Sequence, residues 1–108
     1  MALGIVATLR IKPDQITHFE THFLKLAEVV LREESGCRLY ALHRSRAAEN
    51  TYVVLEQYDD EAAFALHGKY EAFKMANVPL KDCLAVPPTV ELLDGVEASS
   101  ISTTEGEL

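Results

Sequence analysis

The chain has 108 residues, of which 48% are hydrophobic and 25% charged, a composition typical of one globular domain. Ten basic side chains against 17 acidic ones give a net charge of −7. That balance excludes a binder of duplex nucleic acid and argues against an anionic membrane surface, because both partners require a basic face.

The first predicted element is a strand over residues 3–12, in which apolar residues alternate with smaller or polar ones. It is too short to span a membrane and no basic export segment precedes it, so we expect a cytoplasmic protein with reduced thiols. Asp14 is a candidate N-cap or first-turn acid for a helix that runs to about Glu34. Gly36 suits the C′ position of that helix.

Two strands and a second helix follow. Residues 37–46 and residues 51–58 predict an antiparallel pair of strands joined by a polar turn. Three acidic residues at 59–61 predict the start of a single helix that runs to about Asn77. After two prolines, residues 89–93 predict the last strand.

The element order β-α-β-β-α-β predicts an α+β, ferredoxin-like domain over residues 1–94. Two helices would cover one face of a four-stranded antiparallel sheet, with the second and third strands as its central hairpin. Residues 95–108 form an acidic, Ser/Thr-rich C-terminal segment, expected to be a mobile tail or a partner-contacting arm. Without this segment the net charge is −4, so part of the acidity lies outside the predicted fold.

The third strand is apolar on both faces. Tyr52 and Val54 lie on one side, and Val53 and Leu55 on the other. Helices can cover only one face of such a sheet, and a solvated face should be polar. We therefore expect a homodimer in which a second sheet covers the open face, with a slightly apolar monomer as the alternative.

The two cysteines, Cys37 and Cys83, lie far apart in the sequence and outside any zinc-ligand spacing, so no metal site is expected. His18 and His22 stand four residues apart, but no glutamate accompanies them as in a zinc-binding helix. We interpret both as surface residues.

One block of residues resembles the antibiotic biosynthesis monooxygenase family. The family pattern has a Pro/Ser-Gly-Cys turn, a Tyr-x-Leu strand, a strand ending in Glu-x-Trp or Glu-x-Tyr, an acidic helix start, and a His followed six residues later by Phe. The resemblance extends over about residues 3–94. The matching residues are Ser35-Gly36-Cys37, Tyr40, Leu42-His43-Arg44, the run from Tyr52 to Phe64, His67 and Phe73.

The resemblance implies a dimeric α+β barrel with an apolar pocket between sheet and helices in each subunit. Several members oxidise phenols or quinols with O2, without metal or flavin. The leading hypothesis is therefore a cofactor-independent monooxygenase that acts on a phenolic or quinol-type small molecule with O2 as co-substrate; haem is not expected. The alternatives are a non-catalytic, ligand-binding or stress-associated dimeric barrel, and an enzyme that processes a small phosphorylated signalling compound.

His67 and Tyr58 are the predicted catalytic residues. On a helical wheel His67 lies at the border of the apolar stripe, and an imidazole there can take a phenol proton near neutral pH. Tyr58 stands where the family commonly has Trp and can stack on an aromatic substrate. Ala72 stands where many members carry a second His, which favours the non-catalytic alternative. An exposed histidine and plain strand-end packing are the structural explanations of the same residues.

Tyr70, Phe73, His43 and Arg44 are the predicted substrate-binding residues. Tyr70 and Phe73 belong to the apolar stripe of the second helix, where core and pocket positions overlap. His43 and Arg44 lie on opposite faces of their strand, and either can reach a pocket mouth. Arg44 shares its side with two further arginines, a set that can hold a phosphate or carboxylate or form surface and dimer salt bridges. The other two are Arg38 and Arg46.

Overall fold

The computed structural model describes residues 1–96, a four-stranded antiparallel sheet with helices packed on one face. Short 3₁₀ segments precede the first helix and follow the third. Within the described residues no helix has both the length and the apolar character to cross a membrane. The strands are β1 (Leu3–Arg10), β2 (Cys37–Arg44), β3 (Thr51–Tyr58) and β4 (Thr89–Asp94), and the helices are α1 (Ile16–Glu33), α2 (Glu61–His67) and α3 (Glu71–Asn77).

The sheet order is β2-β3-β1-β4, which confirms the ferredoxin-like prediction. The hairpin of β2 and β3 forms as expected, but its predicted central place is wrong. β1 pairs with β3 along its whole length, from Leu3 opposite Tyr58 to Arg10 opposite Thr51. The apolar face of β1 is buried under the helices, so β1 and β3 are the central strands and β2 is an edge. The predicted tail is described only at Gly95 and Val96; the rest lies outside the described residues.

The single second helix of the prediction is wrong, because the structure has two short helices there. Asp60 caps α2, its side chain accepting a hydrogen bond from the Ala63 N–H at 2.8 Å. α2 ends at His67, before Gly68, a residue whose backbone freedom disfavours helix. Tyr70 is extended, with φ −68° and ψ 127°, and α3 begins anew behind it. The helical wheel that placed His67 at a half-exposed border therefore does not apply, and His67 is buried.

Both ends of α1 differ from the prediction. Asp14 lies in the preceding 3₁₀ segment and does not cap α1, whose N-cap residue is Gln15 without a side-chain bond. Gly36 is not a left-handed C′ residue, since no glycine in the described chain has a positive φ. Its small size matters for packing instead, because a Cβ at Gly36 would lie 2.5 Å from the Cβ of Ala63 in α2.

The two faces of the sheet are covered differently. The helix-facing side holds the core, in which Phe19 and Phe23 of α1 pack against Tyr40, Tyr52 and other buried residues of the strands. The opposite, open face is also apolar, and none of the helices within residues 1–96 lies on it. Its apolar side chains include Val6, Val53 and Leu55, all half-buried, and Leu39 and Leu93, each 43% exposed.

A methyl group at Gly36 should destabilise the fold. We expect Gly36→Ala to lower the free energy of unfolding by about 1–3 kcal/mol, because the sheet end and α2 must move apart. Gly68→Ala is the matched control: no heavy atom lies within 4 Å of its added Cβ and its φ is −72°, so the stability should stay equal or rise slightly. Urea unfolding measures both. Equal changes in the two variants would contradict the close approach at Gly36.

Candidate active site

A mostly apolar cavity, called the main cavity below, lies between α1, the helix-facing side of the sheet and the segment 77–88. Its volume is about 340 Å³, within the range of pockets that hold small molecules. Most of the wall is apolar, and Glu56, Asn77 and Lys81 provide polar side chains. The remaining lining residues are Ala7, Leu9, Phe19, Phe23, Leu26, Tyr40, Val54, Leu80, Leu84 and Pro88.

Glu56 places a carboxylate in this apolar wall. The alternation of β3 directs Glu56 to the helix-facing side, between Ile5 of β1 and Tyr40 of β2. The Tyr58 hydroxyl donates a hydrogen bond to Oε1 of Glu56 at 2.9 Å. Burial raises the pKa of the Glu56 carboxyl, and this rise outweighs the lowering by the Tyr58 hydrogen bond and the nearby His67 imidazole. The group is therefore a better proton acceptor than an exposed glutamate.

A buried pair of His67 and Glu34 lies beside this wall. Glu34 directly follows α1 and is only 3% exposed, and His67 is the last residue of α2 at 9% exposed. Nδ1 of His67 lies 2.8 Å from Oε1 and 3.0 Å from Oε2 of Glu34. Because a carboxylate only accepts, this contact places a proton on Nδ1, so that in the neutral imidazole Nε2 carries the lone pair.

Aromatic rings surround the His67 imidazole. The ring centroid of Phe73 is 4.1 Å away, that of Tyr58 5.5 Å, that of Tyr40 5.6 Å and that of Phe64 6.5 Å. This surrounding shields the His67–Glu34 hydrogen bond from water, where the low local dielectric strengthens it. The histidine is held rigidly in orientation and position.

The structure brings together three of the predicted site residues and separates the rest. His67, Tyr58 and Phe73 form one cluster, but none of the three lines the main cavity. Tyr58 is fully buried, and burial raises its pKa, as does the neighbouring Glu56 carboxylate. The hydroxyl therefore stays protonated as a donor, and the ring offers no exposed face for stacking in this chain.

The other predicted substrate-binding residues lie elsewhere. Tyr70 is half-buried at the break between α2 and α3. His43 is exposed on the open face of the sheet, opposite Val53. Arg44 is exposed on the helix-facing side, and its guanidinium binds the Glu20 carboxylate at 2.5 Å.

The arginines that were predicted to share a side do not form one cationic patch. Arg38 pairs with Asp59 at 2.6 Å, and Arg44 pairs with Glu20, which also accepts a hydrogen bond from the Tyr52 hydroxyl. Exposed pairs of this kind contribute little to stability. Two of the three guanidinium groups that were predicted to hold a phosphate already face a carboxylate.

Metal and thiol chemistry find little support in residues 1–96. No group of three His, Cys, Asp or Glu side chains there has metal-binding geometry. Burial raises the pKa of the Cys37 thiol to about 11, so it is a poor nucleophile at neutral pH. His18, as expected, is exposed, and the ring of His22 lies against it at 4.3 Å between centroids.

Two residues of the site escaped the sequence reasoning. Glu34 follows Glu33 at the end of a helix, and two consecutive acids at that place are typical of surface residues. Glu56 carried a usable signal: it shares the period of Tyr52, Val54 and Tyr58, and a carboxylate on the apolar face of a strand needs a partner or a function.

Comparisons with known proteins agree with the fold and the motif block. The family model of the antibiotic biosynthesis monooxygenases matches residues 2–78. YcnE of Bacillus subtilis (strain 168), provisionally named a monooxygenase, is 31% identical over 81 residues, or 75% of this chain and 84% of that protein.

Two solved structures show the same architecture. One, from Caulobacter crescentus CB15, is described provisionally as an antibiotic biosynthesis monooxygenase; it is 41% identical, with a TM-score of 0.85 over 89% of this chain and 91% of that one. A conserved protein from Methanosarcina mazei Go1 is 25% identical, with a TM-score of 0.79 over 86% and 91% of the two chains. The predicted resemblance is confirmed.

Removing the Glu34 carboxylate should weaken the whole cluster. We expect Glu34→Ala to lower the free energy of unfolding by about 2 kcal/mol or more, because it leaves the buried His67 N–H without an acceptor. Glu33→Ala, next to it but half-exposed in a surface pair with Arg32, should change stability by no more than about 0.5 kcal/mol. Urea unfolding compares the two. If both variants lost the same stability, the buried pair would not be the cause.

Proposed function

Because this chain belongs to the antibiotic biosynthesis monooxygenase family, whose general function is monooxygenase-like, we propose that it oxidises a phenolic or quinol-type small molecule with O2. The reaction in this proposal uses neither metal nor flavin. Its substrate is an aromatic ring with at least one hydroxyl group and occupies the main cavity.

The proposed reaction of a phenol with a free para carbon balances as follows. The hydroxyl proton passes to a base, and the phenolate gives one electron to O2, which yields a phenoxyl radical and superoxide. The phenoxyl radical and superoxide then form a C–O bond at the para carbon, which gives a peroxide. Loss of the para hydrogen as a proton breaks the O–O bond and releases water. One phenol and one O2 thus give one quinone and one water, and the ring loses four electrons.

The observation that carries this proposal is an apolar cavity of about 340 Å³ with a carboxylate in its wall. Apolar walls suit an aromatic ring and keep water from the phenolate and the superoxide. The deprotonation step needs a proton acceptor, because a neutral phenol is a poor electron donor. Glu56 and, beside it, the imidazole of His67 supply proton-accepting groups in this region.

His67 keeps its proposed role as a base of the site. Glu34 holds Nδ1, so that Nε2 can accept a proton. Tyr58 belongs to the proposal as a hydrogen-bond donor beside His67. Since His67 does not line the cavity, the substrate's proton would reach the imidazole through another group of the cavity wall.

The proposed functional unit is a homodimer in the cytoplasm. The apolar open face of the sheet, with Val6, Val53 and Leu55, is the surface that a second copy would cover. Both cysteines are free, in keeping with a reducing compartment. In such a dimer His43, on the same open face, would lie in the interface.

A ligand-binding barrel without catalysis is the second candidate. The observation that favours it is Ala72, which is half-buried in α3 and stands where many members of the family carry a second histidine. A phosphorylated substrate has less support, because Arg38 and Arg44 each pair with a carboxylate.

Oxygen uptake tests the proposed function. In metal-free buffer with chelator, we expect wild-type protein to consume one O2 per quinone formed from a panel of phenols and naphthols with a free para carbon. His67→Ala should slow this reaction about 100-fold, the usual contribution of an acid–base group. Lys25→Ala, a change at an exposed position of α1 that does not line the cavity, is the control and should keep full activity. Tight binding of the panel without O2 uptake would favour the ligand-binding barrel instead.

A charge on the open face tests the dimer. We expect wild-type protein to have twice the chain mass by light scattering, and Leu55→Glu to shift it to the monomer, because a buried unpaired carboxylate is costly. Leu31→Glu, at a 50% exposed position of α1, should leave the dimer intact. A monomeric wild type, or a dimeric Leu55→Glu variant, would contradict the proposed interface.

A further inference from the structure

Glu56 is the charged side chain that the sheet contributes to the wall of the main cavity. Lys81 is the other charged residue of the wall, and it comes from the segment after α3, away from the sheet. Glu56 sits on a central strand between Ile5 and Tyr40, so neighbouring strands hold it on both sides. A ligand that fills the cavity must therefore contact a carboxylate whose position is fixed by the sheet.

The hydrogen bonding of Glu56 leaves one oxygen for a ligand. Tyr58 donates to Oε1, and this bond fixes the plane of the carboxylate. Among residues 1–96 no hydrogen-bond donor is recorded on Oε2. A phenol hydroxyl in the cavity is a donor of the kind that Oε2 can accept.

Unlike Glu56, His67 does not line the main cavity. Its Nδ1 is bound to Glu34, and the rings of Tyr40 and Tyr58 pack against it. It lies close enough to Glu56 to act on it electrostatically, yet it is absent from the cavity wall. An imidazole in this place can influence the charge of Glu56, but it does not meet the substrate directly.

We propose that Glu56 is the catalytic residue that contacts the substrate hydroxyl and takes its proton, and that Tyr58 and His67 position and tune it. This inference rests on the proposed function. In the step, the substrate O–H bond breaks, its proton forms an O–H bond with Oε2 of Glu56, and the phenolate keeps the electron pair. Glu56 returns the proton when the peroxide releases water, so the carboxylate is regenerated in each turnover.

The chain contains a natural control for a Glu56 variant. Glu20 also accepts a hydrogen bond from a tyrosine hydroxyl, that of Tyr52, on the same side of the sheet. Glu20 does not line the main cavity. Glu20→Gln therefore removes the charge from a second tyrosine–glutamate pair without touching the proposed substrate.

The test compares Glu56→Gln with Glu20→Gln on two naphthols. α-Naphthol ionises weakly at neutral pH, whereas its ortho-chlorinated analogue loses its proton more readily. We expect Glu56→Gln to reduce the rate of O2 uptake about 100-fold or more with α-naphthol. The loss relative to wild type should be clearly smaller with the chlorinated substrate, because it needs less help from a base. A variant that merely disturbs packing would lose the same factor with both. Glu20→Gln should match wild type.

A second variant and a binding measurement keep the two proposals apart. Glu56→Leu, which also removes the carboxylate and suits the apolar wall, replaces Glu56→Gln if that variant does not fold, and it should be equally slow. Full activity of either Glu56 variant would overturn the role of Glu56 and leave the proposed function intact. If wild type consumes no O2, the proposed oxidation falls. Anaerobic calorimetry with α-naphthol then decides whether Glu56 contacts the hydroxyl: binding at least tenfold weaker in Glu56→Gln alone supports it, and equal binding overturns it.

Discussion

The hydrogen bond between Glu34 and His67 joins the C-terminal ends of helices α1 and α2. Glu34 follows the last turn of α1, and His67 is the last residue of α2. Both groups are buried, and each would be costly to bury without the other. Their contact therefore fixes α2 against α1 and against the aromatic side chains around it. The space left between α1, the sheet and the segment 77–88 is the main cavity.

Two glutamates near one another have different partners in this site. Glu34 is bound to an imidazole, and Glu56 to a phenol hydroxyl. Only Glu56 reaches the cavity. Groups of the same type in different environments commonly take separate parts in proton transfer. Here one carboxylate, that of Glu56, lies in the cavity wall, and the other, that of Glu34, holds the histidine.

The strands were predictable because period-two alternation depends on local sequence alone: β3 was predicted at its observed bounds, Thr51–Tyr58. The helix after it was not, since its acidic start and apolar stripe fit one long helix as well as two short ones. The structure ends the first of these helices at His67, before Gly68, and packs His67 against Glu34, which is distant in sequence. Sequence reasoning therefore found His67 but placed it at a half-exposed border. It missed Glu34, because a partner so far along the chain leaves no local pattern.

The interruption at residues 68–70 divides this stretch of chain into two short helices with different positions in the fold. α2 presents His67 to the buried cluster, whereas the end of α3 and the residues after it supply Asn77, Leu80 and Lys81 to the cavity. A continuous helix would transmit any shift of that roof to the histidine. Despite the break, α3 still contacts the histidine, because the ring centroid of Phe73 lies 4.1 Å from that of His67. A ligand that displaces α3 would therefore also shift the residues around the buried pair of His67 and Glu34.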